Sequence, residues 1–309
     1  MSVTVISPGL QTTVQDLGRK GYAHLGISAA GAADSLSLRL ANLLVGNPEH
    51  ESALEMTIIG GEYLFQQDAC ITLAGSYFPA QIDGKEFPYY QACHIKKGAK
   101  LTIGPTRDGA RCYLAVQGGF QLPPQLGSHS THIMTKIGGL DGGILQKGQE
   151  INIGDPDQKA AGITLNQTIQ LDRSILRITR GLQHDWFDSA AWKALQERPY
   201  TISQAFDRMG LRTTGPAIHS LTAQQITTEG IPLGAVQVPG NGRPIISFVD
   251  HQTTGGYPKI ANVITADICK VGQFKPGDKF QFQLVTMEEA EVLRLEQESF
   301  VEKLTRTRQ

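Results

Sequence analysis

A mainly β fold, built from two related β-barrel halves with a few short helices and a C-terminal helix, is what this sequence predicts. Glycine is the first reason. The chain has 34 glycines in 309 residues, above the roughly 7 % of an average protein, and so many tight turns. The second is a series of short β-branched runs bounded by Gly and Pro. The third is repetition. His94–Ile103, Ile144–Ile153 and Gln273–Phe282 each put a central Gly in a turn that feeds an alternating strand. A shorter echo links Asp16–Tyr22 with Ala205–Leu211, both with Arg two residues before Gly. The first Arg–Gly copy precedes the first turn–strand copy and the second precedes the third, so two halves are expected. The polar stretch Gly154–Lys159 marks their boundary, giving residues 1–155 and 156–309.

The strand runs are Cys70–Leu73, Leu101–Ile103, Tyr113–Val116, Ile151–Ile153 and Ile175–Ile178. Ala235–Val238 and Ile245–Val249 flank Pro239–Pro244 as a hairpin with a Gly-rich loop. Helices are few. Asp34 caps one whose Leu36, Leu40, Leu43 and Leu44 share a face, and Gly46 ends it. A second runs from about Ser189 to Glu197 and stops before Pro199. The last begins at Thr286, with Glu289 completing a capping box, and carries the stripe Ala290, Leu293, Phe300, Val301 and Leu304.

Composition excludes several classes. Hydrophobic residues are 40 % and charged residues 18 %, which describes an ordinary globular chain and not a disordered one. The net charge of −1 provides no basic face for nucleic acid or an anionic membrane. Cys70, Cys93, Cys112 and Cys269 form no CxxC pair, so reduced thiols and a cytoplasmic location are expected. The N-terminus lacks a signal-peptide pattern, and no run approaches the ~18 apolar residues of a membrane helix.

The segment richest in chemistry is Asp250–Lys259, which follows an apolar strand. It offers an acid, an amide, two hydroxyls, paired glycines and a Lys within one loop. Such a loop positions polar groups and lets backbone N–H groups approach a ligand. It reads equally as a polar turn whose side chains satisfy its own backbone. Asp207–Arg208 is either a bidentate anion clamp or an internal ion pair, and the same choice applies to Asp16 and Arg19. Glu55, an acid in an apolar run, must be paired or shifted in pKa if it is buried. His129 and His132 lack a third ligand, so no metal is expected. No phosphate-binding loop or nucleophile elbow occurs.

These residues resemble one family. Thr12–Arg19, Gly31–Asp34, Leu40–Pro48, Tyr113–Gly119, Asp207–Gly210, Gln237–Pro239 and above all Gln252–Pro258 are similar to the biotin-dependent carboxyltransferase-like family. The family is also called allophanate hydrolase subunit 2 and includes the C-type subunit of 5-oxoprolinase. The similarity runs from about Thr12 to Phe282. It implies two cyclophilin-like β-barrel parts. It implies one component of an ATP-dependent 5-oxoprolinase, inactive alone, with B-type and A-type partner subunits and ATP as co-substrate. Lys20, Ala33, Arg180, Gly143 and His129 depart from the family's usual residues.

On this resemblance Arg208 is expected to clamp a carboxylate or phosphate, Lys259 to stabilise charge, and Asp250 or Glu55 to move a proton. Gln252, Thr253, Thr254, Gly255, Gly256, Tyr257, Gln237 and Arg19 are expected to bind substrate. Two alternatives come with the family. One is carboxyl transfer to a urea-like amine, which needs a separate carrier because the chain has no biotin-bearing Met-Lys-Met. The other is a non-enzymatic antagonist of a sensor-kinase inhibitor.

Overall fold

The recurring glycine turn is one object built three times. Gly98, Gly148 and Gly277 have φ of 84°, 86° and 91°, the left-handed region that a Cβ disfavours. Each turn closes with an i to i+3 bond: Ala99 N to Lys96 O at 3.0 Å, Gln149 N to Gln146 O at 3.2 Å, Asp278 N to Lys275 O at 3.1 Å. Each glycine N–H also donates to a neighbouring backbone carbonyl, of Phe65, Val5 and Ile202 respectively. The repeat seen in the letters is thus a repeat in hydrogen bonding.

The structure, a computed structural model, describes residues 2–155, 165, 171–222 and 226–306. Two compact units emerge: Met1–Arg19, Ala30–Gln170 and Phe300–Gln309 form one, and Lys20–Ala29 with Leu171–Ser299 the other. The boundary expected after residue 155 abuts residues 156–164, which lie outside the described residues.

The first unit carries β1 Ser2–Ser7, β2 Gln11–Gln15, α1 Ser35–Leu44, β3 Ala53–Thr57, β4 Glu62–Phe65, β5 Ala69–Gly75, β6 Ala80–Ile82, β7 Lys85–Glu86, β8 Cys93–Ile95, β9 Lys100–Ile103, β10 Arg111–Val116 and β11 Glu150–Asn152. They form a six-stranded sheet, β11-β1-β4-β9-β6-β7, and a five-stranded sheet, β2-β3-β10-β5-β8. Val3, Val5, Tyr63, Phe65 and Leu101 of one sheet share a core with Val14, Leu54, Ile71, Leu73 and Leu114 of the other. Asp34 caps α1 by accepting from Ser37 N at 2.9 Å and Ser37 Oγ at 2.6 Å.

The second unit carries β12 Ile175–Arg180, α2 Ser189–Glu197, β13 Tyr200–Phe206, β14 Gly210–Thr214, β15 Glu229–Gly230, β16 Ala235–Gln237, β17 Ile245–Ser247, β18 Thr254–Gly255, β19 Lys259–Val263, α3 Ile268–Gln273 and β20 Lys279–Leu284, and it holds α4 Met287–Arg306 as far as Ser299. Seven strands close a barrel in the order β12-β19-β16-β17-β14-β13-β20. Leu176, Ile178, Tyr200, Ile202, Leu211, Val236, Ile246, Phe280 and Phe282 are buried in it. Closure pairs β12 with β20 in parallel, Ile175 opposite Gln281. The expected hairpin is β16 and β17, antiparallel with Val236 opposite Ile246. The capping box of α4 forms as read: Thr286 N donates to Glu289 Oε2 at 2.8 Å, and Glu289 N to Thr286 Oγ1 at 3.1 Å. Sequence reading missed α3, a six-residue helix too short to show a period.

Candidate functional site

The site begins with the alternation of a strand. Along β14, Leu211 and Thr213 are buried while Arg212 and Thr214 are exposed. Leu211, Ile246 and Val236, each at most 1 % exposed, face the barrel core. Their neighbours on the other face form a second row. Arg212 pairs with Ile245, Ile245 pairs with Gln237, and Gln237 pairs with Lys259. Residues opposite each other on a ladder point to the same face. One rung of the outer wall therefore reads Arg212, Ile245, Gln237, Lys259 across four strands. The register shifts between Val236 and Gln237, so Ile260 is the extra residue of a bulge. A bulge re-aims the side chain beside it, here Lys259.

Over this wall lies a cavity of about 290 Å³. Gly210, Arg212, Gln237, Ile245 and Ser247 line it from the wall. Ala205 and Phe206 line it from the end of β13, Asp207 and Met209 from the β13–β14 turn, and His251, Gln252 and Tyr257 from the polar loop. Three of the expected substrate-binding residues, Gln237, Gln252 and Tyr257, thus meet in one place. Gln237 is 6 % exposed, and its Oε1 has no hydrogen-bond partner among the described residues.

Arg208 and Asp250 brace the cavity without lining it. Arg208 Nε donates to Asp250 Oδ2 at 2.8 Å and Nη2 to Oδ1 at 3.1 Å. Asp250 N donates to Arg208 O at 2.8 Å, and Phe248 N to Met209 O at 3.0 Å. Both side chains are buried. The Asp207 carboxylate holds the turn by accepting from Met209 N and Gly210 N. Arg208 thus takes the internal ion-pair alternative, with Asp250, not its neighbour Asp207, as the acid.

Lys259 is not the surface lysine that a loop position suggests: it is 1 % exposed. Its Nζ forms an ion pair with Glu229. Gln183 ties the two ends, with Nε2 on Glu229 at 2.8 Å and Oε1 accepting from Lys259 N at 3.0 Å. The Lys259 hydrogen bond is the main cause that holds the Glu229 carboxyl below its usual range; it outweighs the opposing effect of burial, and Gln183 adds a lesser lowering effect. Thr253, Thr254, Gly255 and Gly256 are knitted into the same corner. Gly230 and Glu229 of β15 pair with Thr254 and Gly255 of β18. Ile231 N donates to Thr253 O and Ile226 N to Gly256 O. A Cβ on Gly255 would lie 2.5 Å from Ile231 Cδ1, so this glycine admits a neighbouring side chain.

Glu55 and Arg19 belong to the first unit and build separate networks. Glu55 accepts from Tyr113 Oη at 2.7 Å and Ala33 N at 2.8 Å and pairs with Arg111 at 3.6 Å. Burial, followed by the Glu55 and Asp34 charges, pushes the Tyr113 phenol well up. Arg19, 2 % exposed, donates Nη2 to Ser130 O. Beside it Asp16 accepts from Ser128 Oγ, Ser130 Oγ, His129 N and Gly18 N at 2.5–2.7 Å. Burial acts to raise the Asp16 pKa, but the hydroxyls of Ser128 and Ser130 and then the two N–H groups bring it below the usual range.

Sequence reasoning missed Arg212, Glu229 and Gln183. Arg212 was recoverable, since it stands two residues after Gly210 on an alternating strand. Glu229 and Gln183 carry no local signal, because their partner Lys259 is remote in sequence.

The chain belongs to the family described as carboxyltransferase domain, subdomain A and B, which matches residues 25–284. Within that class it is similar to the C-type subunit of the 5-oxoprolinase of Escherichia coli (strain K12), 37 % identical over 97 % of this chain and 96 % of the relative. The corresponding C-type 5-oxoprolinase subunit of Haemophilus influenzae is 34 % identical over 98 % of both. Among solved structures it is similar to the Kluyveromyces lactis urea carboxylase, with a TM-score of 0.92 at 28 % identity over 98 % of this chain and 29 % of that one. The K. lactis urea amidolyase gives 0.91 at 27 % identity, covering 98 % of this chain and 20 % of that one.

Proposed function

We propose that this chain is the C-type subunit of an ATP-dependent 5-oxoprolinase, and that the outer-wall cavity holds the 5-oxoproline ring. The observation that carries the reading is the end-to-end match to the C-type subunits of two 5-oxoprolinases, whereas the urea enzymes match over a fraction of their length. The cavity lies at the small end of ligand-binding cavities, which suits a small cyclic amide.

A lactam carbonyl is a poor electrophile. Transfer of a phosphoryl group from ATP to the lactam oxygen, with release of ADP, makes that oxygen a leaving group. Water then adds to the carbonyl carbon, and the adduct collapses with cleavage of the C–N bond and proton transfer to nitrogen, leaving the side-chain carboxyl as an acyl phosphate; a second water displaces phosphate from it to give glutamate. The Lys259 ammonium does not line the cavity; held opposite the lining residue Gln237 on the ladder, it favours through its field the negative charge that grows at this oxygen. Gln237 and Gln252 orient the amide. Arg208 and Asp250 act as positioning residues that fix the loop and turn around the ring.

Phosphoryl transfer and partner contacts are shared with A-type and B-type subunits, so the chain alone is inactive. The test is 5-oxoproline-dependent ATP hydrolysis by the purified chain with and without those subunits. Turnover by the chain alone sinks the shared-site reading, and no turnover by the full set sinks the 5-oxoproline reading. A second reading, carboxyl transfer to a urea-like amine, draws on the fold shared with urea carboxylase. A biotinylated protein co-purifying with the chain would favour it.

A further inference from the structure

The cavity contains a residue that the proposed reaction has not yet used. Arg212 is exposed on the wall and lines the cavity. It is the only Arg or Lys among the described lining residues, and Asp207 is the only acid. Asp207 is turned to its own backbone, accepting from Met209 N at 2.8 Å and Gly210 N at 3.1 Å. The Arg212 guanidinium has no hydrogen-bond or ion-pair partner among the described residues. Six other arginines, Arg39, Arg111, Arg173, Arg177, Arg208 and Arg294, are each paired with a carboxylate.

The rung sets the spacing. Arg212 and Gln237 flank Ile245 from either side, so their backbones stand two strand spacings apart, roughly 9–10 Å. The long Arg side chain covers part of that span. A five-membered lactam with its carboxylate covers the rest. Ile245 between them gives the ring an apolar floor. At the far end Gln237 holds a buried acceptor with nothing to accept from, an arrangement that costs free energy until an N–H arrives.

The geometry points to Arg212 as the residue that binds the 5-oxoproline carboxylate, with Gln237 Oε1 accepting the lactam N–H. This rests on the cavity being the substrate site. It defines the substrate class more narrowly than that reading does: a cyclic amide bearing a carboxylate, as opposed to neutral urea. Arg suits the task because its planar fork meets both carboxylate oxygens.

The experiment uses the complex of this chain with its partner subunits. Arg212→Met, Arg212→Lys and Gln237→Leu are compared by KM for 5-oxoproline, KM for ATP, and inhibition by 2-pyrrolidinone, the same ring without the carboxylate. Melting curves check that each variant is folded. Arg212→Met is expected to raise KM for 5-oxoproline at least tenfold, leaving KM for ATP and inhibition by 2-pyrrolidinone unchanged. Arg212→Lys recovers part of the loss. Gln237→Leu weakens both ring compounds. If KM for 5-oxoproline is normal in Arg212→Met while Gln237→Leu impairs it, the carboxylate assignment is overturned and the cavity stands. A rise in KM for ATP with a normal KM for 5-oxoproline makes Arg212 a phosphate contact and likewise overturns it. If no variant changes any constant, the cavity is not the substrate site and the parent reading falls.

Discussion

Arg208 and Asp250 stand 42 residues apart and meet in a two-point ion pair, with Nε to Oδ2 at 2.8 Å and Nη2 to Oδ1 at 3.1 Å. Their side chains are 6 % and 4 % exposed. The pair ties the β13–β14 turn to the start of the polar loop, so both sides of the cavity depend on it.

Removing one partner leaves the other charge buried, which costs about 3–5 kcal/mol, whereas removing both with apolar replacements costs far less. Arg208→Met and Asp250→Leu are each expected to lower the denaturation midpoint strongly, and the double variant to recover much of the loss. A double-mutant cycle by urea unfolding checks this. Additive losses would mean that the two residues act independently.

Glu55 is expected to be structural. It faces Arg111, Tyr113 Oη and Ala33 N, a full set of partners in a buried site. Glu55→Gln keeps an acceptor but removes the charge opposite Arg111, so stability falls while turnover per folded complex stays within about twofold. A hundredfold loss of kcat with an unchanged melting curve would make Glu55 a proton carrier after all.

The legible parts of the fold were those written locally. Gly98, Gly148 and Gly277 announced their turns because one positive φ and one flanking strand suffice. Asp34, Thr286 and Glu289 announced helix ends because a cap reaches three residues at most. The polar loop was legible as a string of residues, and it supplies Gln252 and Tyr257 to the cavity. What could not be read is what the barrel brings together from afar. Nothing near Lys259 marks Glu229 as its counter-ion, and nothing near Asp16 marks Ser128 and Ser130, 112 and 114 residues away. The choice between clamp and ion pair at Arg208 could not be read, because its acid, Asp250, lies on another element, beyond any spacing rule.

Asp16 makes acid stability testable. Its pKa is depressed in the fold, so its contribution is complete above the unfolded value, about 3.9. That contribution is lost as pH falls through the folded value. Asp16→Asn leaves two hydroxyls and two N–H groups around a weaker acceptor that also brings donors, a loss of about 1–3 kcal/mol near neutral pH. Urea unfolding at pH 7 and pH 3 is expected to show a smaller difference between the two pH values in the variant than in the wild type. An equal difference in both proteins would show that Asp16 does not set the acid limb.

Lys259→Met separates chemistry from folding, and the structure changes the grounds for it. The lysine is buried, so the argument cannot rest on a surface side chain that folding ignores. It rests on desolvation: burying an ammonium is costly, and its ion pair offsets that cost only in part, so an apolar residue of similar length is tolerated or even stabilising. Its partner Glu229 has a side chain 35 % exposed; when abandoned it is solvated and keeps the bond from Gln183. Stability is therefore expected to stay within about 1 kcal/mol of wild type. The Glu229 carboxyl loses the main cause of its depressed pKa, so its titration moves up toward the ordinary Glu range, which NMR titration reads directly. Because the folded pKa of Glu229 is depressed in the wild type, the stability linked to it is present above the unfolded value and fades as pH falls through the folded one; in the variant this dependence is smaller. Turnover responds differently. A fixed positive charge near growing negative charge contributes a few kcal/mol to the transition state, so 5-oxoproline-dependent ATP hydrolysis by the reconstituted complex should fall at least about tenfold. Normal turnover with a shifted Glu229 titration would make the Lys259–Glu229 pair purely structural. Lost assembly with a normal melting curve would make this corner of the barrel a docking surface for a partner subunit.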